Sequence, residues 1–156
     1  MKKMFLPLLT LLTISCAHKE VPETPYHFHT IRLVPGSDLK KSLMNYVSTH
    51  RLKAVSIVTC VGSLTQYSLR LANQKESKTA KGHFEIVSLV GTMGDKSAHL
   101  HLAVSDEKGV TTGGHLTEDN LVYTTAEITL VEDLRHQFIR ETDDTFGFQE
   151  LKVIVR

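Results

Sequence analysis

Apolar and polar residues alternate along much of the chain, and this alternation predicts strands with one buried face. Longer apolar runs rich in β-branched residues are typical of strands buried on both faces. The alternating segments are Phe28–Leu33, Tyr67–Leu71, Ala98–Val104 and the return segment Val110–Leu116. The apolar runs are Ala54–Val61, Phe84–Val90 and Leu121–Val131, and two short strands are expected at Phe138–Arg140 and Leu151–Val155.

Turns and loops are predicted where glycine, asparagine, aspartate and serine separate these segments. A turn or an exposed loop is therefore expected at Gly62-Ser63, Asn73–Lys81, Gly91–Lys96, Asp106–Gly109 and Asp143–Gly147.

One segment, Asp38–His50, has a helical period. Ser37 is a suitable N-cap after the Pro35-Gly36 turn, and Asp38 favours a helix start. Apolar residues then recur at helical spacing, at Leu39, Leu43, Met44 and Val47. The predicted fold class is α+β, with a mostly antiparallel sheet of about seven strands and one main amphipathic helix. Because one helix cannot cover so wide a sheet, self-association is expected.

A weak internal repeat relates two strand pairs. Ile57–Leu64 resembles Ile86–Met93, and each is followed by an alternating strand that ends in Leu-Ala. In this alignment Arg70 takes the place of His101. A histidine is therefore not required by the strand pair itself.

Composition fits one globular domain, because the chain has 156 residues, 41% of them hydrophobic and 22% charged. The formal net charge is +1, and it becomes −1 if Lys2 and Lys3 are removed with a leader segment. Such a charge gives no general attraction to polyanions such as nucleic acids.

The N-terminus is predicted to be an export signal covering residues 1–16. Lys2 and Lys3 precede the apolar segment Met4–Ile14, which is too short to span a bilayer as a helix. Leu12–Cys16 resembles a bacterial lipobox, so Cys16 would be lipidated and would anchor the chain in the cell envelope, facing the periplasm or the exterior. The alternative is an ordinary secretory signal and a soluble periplasmic or secreted protein.

Residues 17–27 are predicted to be a tether, and residues 28–156 the domain.

Three histidines carry the clearest candidate chemistry. His99 and His101 lie two apart on a predicted strand and therefore project from the same face. His115 returns after a predicted hairpin, behind Gly113-Gly114, which leaves room for a close backbone approach or a bulge. Three imidazoles suit zinc or another divalent metal and leave a fourth position open. The alternative is that His99 and His101 are polar residues on a wet sheet face.

Other catalytic signals are weak. Glu85 is the carboxylate expected near the histidines, and it is a possible general base for a metal-dependent hydrolase. The sequence contains no Gly-X-Ser-X-Gly elbow, no phosphate-binding glycine loop and no Cys-X-X-Cys pair. Cys60 lies in an apolar run and is predicted to be a buried, inert thiol.

These motifs, taken in order, resemble the PPC domain, the plant and prokaryote conserved domain also called DUF296. The resembling segments are Arg32–Leu39, Val61–Leu64, Gly82–Leu89, His99–His101, Gly113–His115 and Thr125–Glu127. The resemblance covers residues 28 to 153 and departs at His83, where an arginine is common. It implies a compact domain assembled as a homotrimer, with a metal site, expected to hold zinc, at the three histidines.

Three functions stay open. The first is a metal-binding, trimeric and lipid-anchored domain with a binding or structural role, whose small-molecule ligand is unknown. The second is a metal-dependent enzyme. The third is DNA binding, as the family is usually described; in plants this activity rests largely on Arg-Gly-Arg-Pro segments, which this chain lacks. The scattered arginines and the export signal make DNA an unexpected partner.

Overall fold

The computed structural model describes residues 24–156, so the predicted signal, Cys16 and most of the predicted tether lie outside the described residues. The elements follow in the order β1 (Tyr26–Leu33), α1 (Leu39–Thr49), β2 (Val55–Arg70), β3 (Ser77–Met93), β4 (Ala98–Ser105), β5 (Thr111–Leu116), β6 (Leu121–Asp133), β7 (His136–Thr142) and β8 (Gln149–Val155). Within this range no helix has the length and apolar character needed to cross a bilayer.

Six of the strands form one antiparallel sheet in the order β1-β6-β2-β3-β4-β5. Strand β5, at the end of this order, also pairs with the end of β2. Leu69 lies opposite Leu116, and Arg70 lies opposite His115. Strands β2, β3, β4 and β5 therefore close on themselves into a small barrel. The prediction of a mostly antiparallel sheet with one helix is confirmed, although the described residues form eight strands in two sheets.

Helix α1 packs its apolar stripe into the core, as its periodicity predicts. Leu39, Leu43 and Val47 are completely buried. The N-cap is Asp38 and not Ser37, because the Asp38 carboxylate accepts a hydrogen bond from the Lys41 amide at 2.8 Å. The same carboxylate accepts from the Asp119 amide at 2.6 Å and so ties the helix start to the β5–β6 connection.

The predicted turn at Gly62-Ser63 is wrong, and the turn predicted at Gly91–Lys96 is present but begins later, after β3 ends at Met93. Strands β2 and β3 run straight through Gly62 and Gly91, which have φ values of +152° and +133°. A Cβ atom at Gly62 would collide with the Thr125 carbonyl oxygen, and one at Gly91 with that of His99. Each glycine thus serves a close approach to the neighbouring strand. The chain turns only after Gly94, whose amide donates to the Ser97 carbonyl at 2.8 Å.

The predicted loop Asn73–Lys81 is shorter than expected, because β3 already begins at Ser77. The first residues of β3 are polar, but they pair in register with the end of β2. The pairing extends from Arg70 opposite Ser77 to Gln66 opposite Lys81. Polar residues can occupy a strand wherever its backbone is paired, so composition alone misplaced this boundary.

The second sheet is the hairpin β7–β8, which confirms the two short strands predicted around Asp143–Gly147. Several hydrogen bonds hold it against the main sheet, including one from the Arg156 guanidinium to the Glu132 carboxylate at 3.3 Å. The Phe138 amide donates to the Lys53 carbonyl at 2.9 Å, and the Arg140 guanidinium donates to the Thr92 hydroxyl at 2.8 Å. The hairpin therefore lies beside the end of β3 and the start of β4.

Cys60 is half-buried on β2 and has no disulfide partner within residues 24–156. Burial raises the pKa of its thiol to about 12. This agrees with the predicted inert role.

We expect Gly62→Ala to lower the free energy of unfolding by about 2 kcal/mol or more, because the added methyl group meets a backbone oxygen at an unfavourable φ. Urea denaturation measures this change. The matched control is Gly109→Ala, at φ +77° with open space around it, which should cost about 1 kcal/mol. Equal costs for the two variants would contradict the role assigned to the Gly62 contact.

Candidate metal centre

Strand β4 presents His99 and His101 from one face and sends its leucines into the core. Leu100 and Leu102 are each 1% exposed, whereas His99 is half-buried and His101 is exposed. The alternation follows directly from the strand period. The Nε2 atoms of the two histidines lie 3.2 Å apart.

Strand β5 brings the third histidine to this pair. His115 stands directly opposite His101 in the β4–β5 register and opposite Arg70 in the β2–β5 register. The approach of β2 depends on Gly114, where an added Cβ would lie 2.8 Å from the Arg70 carbonyl oxygen. The close backbone approach expected for Gly113-Gly114 is thus present at Gly114.

The three imidazoles form one cluster whose donor set suits a metal ion. One ring nitrogen from each histidine lies within 4.8 Å of the others. Nitrogen ligands on a tetrahedral zinc ion stand about 3.3 Å apart, from bond lengths near 2.0–2.1 Å. The His99–His101 separation of 3.2 Å matches this spacing, and the third nitrogen lies within 4.8 Å of both. In addition, Nδ1 of His115 is buried and has no hydrogen-bond partner in residues 24–156, and such an atom needs an ion or a water to satisfy it.

The electrostatic surroundings keep two of the rings neutral. Burial lowers the pKa of His99, helped by the charge of Arg140 and by neighbouring His101. Burial also lowers the pKa of His115 to about 4, helped by Arg70 and by His99. Neutral imidazole is the form that ligates a metal, so these two residues need not lose a proton at pH 7.

Charged residues from three strands surround the cluster. Arg70 comes from β2, Arg140 from β7 and Glu150 from β8. Together with His99 and His115, they line a pocket of about 520 Å³. Glu150 and Arg140 also border the adjacent surface beside His101.

The structure does not bring Glu85 to the histidines. Glu85 pairs with Ser105, four residues along β4 from His101, which corresponds to about 13 Å. The carboxylate near the cluster is instead Glu150, which the sequence did not indicate, because docking of the β7–β8 hairpin is a long-range contact. The histidines without paired spacing stay outside the cluster: His27, His29, His50, His83 and His136.

The family model of the Plants and Prokaryotes Conserved (PCC) domain matches residues 22–133. The chain belongs to this family. The matched range includes the three histidines and ends before β7.

Curated and solved relatives share most of the described fold. The chain is 41% identical over 133 residues to the bifunctional protein GlmU of a Synechococcus strain, and it spans about a fifth of that relative's length (21%). A hypothetical protein from Salmonella is 38% identical, with a TM-score of 0.83 over 84% of this chain and 95% of that one.

Two more distant structures show the fold alone, at 22% identity and a TM-score of 0.69 over 81% of this chain. One is named a metal-containing protein from Archaeoglobus fulgidus, of which 93% is covered. The other is a suggested DNA-binding protein from Bacteroides thetaiotaomicron, of which 96% is covered.

Proposed function

We propose that this protein is a divalent-metal-binding domain, with zinc as its ion, that works as a homotrimer anchored by lipid in the cell envelope. Its role is binding or structural. The observation that carries the proposal is the convergence of three imidazole nitrogens, from His99, His101 and His115, within 4.8 Å.

Zinc is favoured by the chemistry of the donor set. All three donors are imidazole nitrogens, which suit zinc and other late transition metals better than magnesium or calcium. Three protein ligands leave a coordination position for an outside ligand. The hydrolase alternative loses its proposed base, since Glu85 lies about 13 Å along the sheet from His101.

We expect purified wild-type protein to hold about one zinc ion per chain and His101→Ala to lose it, because two imidazoles bind zinc far more weakly than three. Elemental analysis after dialysis against metal-free buffer measures the content. The matched control is His27→Ala, at an exposed position on β1. Wild-type protein without stoichiometric metal, or full metal content in His101→Ala, would refute the proposal.

The trimer proposal is supported by an apolar outer face on the main sheet. Four neighbouring strands contribute large exposed side chains to it: Phe28 (68%), Val61 (60%), Val87 (57%) and Tyr123 (43%). Several large exposed apolar residues on one face of a sheet are typical of surfaces that bind another protein chain. A second and third copy of the chain would cover them.

We expect Val61→Asp to shift the protein from trimer to monomer, because a carboxylate buried in an apolar interface is strongly unfavourable. Sedimentation velocity measures the assembly state. Val110→Asp is the control, since Val110 is equally exposed (61%) but lies in the β4–β5 loop. A monomeric wild-type protein, or a trimeric Val61→Asp variant, would count against this assembly.

Envelope location is supported by the basic and apolar N-terminal sequence and by the lipobox-like Leu12–Cys16. DNA binding, the alternative drawn from the family, is not favoured. The chain without its leader has a formal charge of −1, which gives no electrostatic attraction to a duplex.

Cys16→Ser should release the protein from membranes into the soluble fraction, because the thiol is the atom that would carry the lipid. Membrane fractionation with an antibody against the domain reads this out, and Cys60→Ser serves as the control that keeps Cys16. A wild-type protein found entirely in the soluble fraction would exclude the anchor and leave the ordinary secretory signal.

A further inference from the structure

We infer that the pocket between the histidine cluster and the β7–β8 hairpin binds a small organic acid, whose carboxylate is held by Arg70 and Arg140 beside the histidines. This inference rests on the proposed metal-binding function, because the coordination position left by three histidines would face the same pocket. It adds a ligand class to that site.

The two arginines supply the charge for an anion. Neither Arg70 nor Arg140 has a carboxylate within 4.0 Å in the described part of the chain. Both arginines line the same pocket as His99 and His115. Two guanidinium groups that have no carboxylate partner and lie in one pocket form a site for a negatively charged group.

The arginines are positioned by the fold and are not free on the surface. Arg70 is half-buried at the end of β2, where its backbone pairs with His115. Arg140 is half-buried, and its guanidinium donates to the Thr92 hydroxyl, on the residue paired with His99. Arg70 also donates to the Gln74 carbonyl at 3.5 Å. Each guanidinium thus uses one nitrogen within the chain, which leaves further N–H groups for a ligand.

The size and lining of the pocket favour an organic acid over a bare inorganic anion. A volume of about 520 Å³ is in the range of small-molecule sites and exceeds what one phosphate ion fills. Ala98 and Phe148 contribute apolar surface to the lining. The aromatic ring of Phe148 is 66% exposed, so an apolar ligand body would cover it.

Glu150 is the one acidic side chain in the lining. It has no cationic partner within 4.0 Å in residues 24–156. Its charge opposes binding of an anion, so its removal should not weaken binding. If Glu150 itself fills the coordination position that the histidines leave, its removal should instead lower the zinc content. Glu150→Gln therefore separates the two possibilities.

The test is calorimetric titration of the zinc-loaded, full-length protein with benzoate, which joins a carboxylate to an apolar ring. Benzyl alcohol lacks the charge, acetate lacks the ring, and inorganic phosphate tests a bare anion. We expect benzoate to bind at least tenfold more tightly than each of the three. Arg70→Gln and Arg140→Gln should each weaken benzoate binding roughly tenfold, as for one lost charge-assisted hydrogen bond. Glu150→Gln should bind benzoate as well as wild type or better.

Lys152→Gln is the matched control, since Lys152 lies on the same hairpin as Arg140 but pairs with Glu141 at 2.8 Å. Zinc content is measured in every sample. If zinc-loaded wild type binds benzoate no more tightly than benzyl alcohol, the organic-acid inference is overturned and the metal-binding proposal is unaffected. The same holds if phosphate binds as tightly as benzoate. Loss of zinc in Glu150→Gln would also overturn it, whereas wild type that binds no zinc would remove the proposed function first.

Discussion

The pairing of β5 with the end of β2 is the constraint on which the candidate site depends. Two residue pairs, Leu69–Leu116 and Arg70–His115, convert an open edge into a closed barrel of four strands. Closure pairs the C-terminal end of the edge that β5 would otherwise expose. It also places His115 between β4 and β2, so that its ring can reach the two histidines on β4. A backbone hydrogen-bond ladder therefore determines where the third donor stands, and Gly114 permits the close contact.

The closed barrel gives the internal repeat a structural meaning. His101 and Arg70 are equivalent positions in the aligned repeat segments. In the fold they flank the same residue, because His115 pairs with His101 on one side and with Arg70 on the other. The two related strands are thus used differently at one point: one contributes an imidazole to the histidine cluster and the other a permanent positive charge.

Local periodicity predicted the features that depend on neighbouring residues. The alternation along β4 correctly separated His99 and His101 from Leu100 and Leu102, and the helical period correctly identified the buried stripe of α1. Both follow from the geometry of a single element. The β7–β8 hairpin was also found, since its turn residues are clustered in sequence.

Features that depend on register between distant strands could not be obtained in this way. Gly62 and Gly91 have the composition of turn residues, but their role is set by carbonyl groups of β6 and β4. Glu85 lies on the strand next to the site, yet the antiparallel register carries it to the far end of β4. Glu150 reaches the cluster because an entire hairpin docks there.

Cys60 has a consequence for where the chain can work. A thiol whose pKa is about 12 carries almost no thiolate at neutral pH, and thiolate is the species that attacks disulfides and oxidants. The sequence holds one other cysteine, Cys16, at the proposed lipidation site. The folded domain therefore presents no kinetically competent thiol to an oxidising compartment. It can persist there without cross-linking through Cys60, and the stability of the described residues relies on the packing of their buried core.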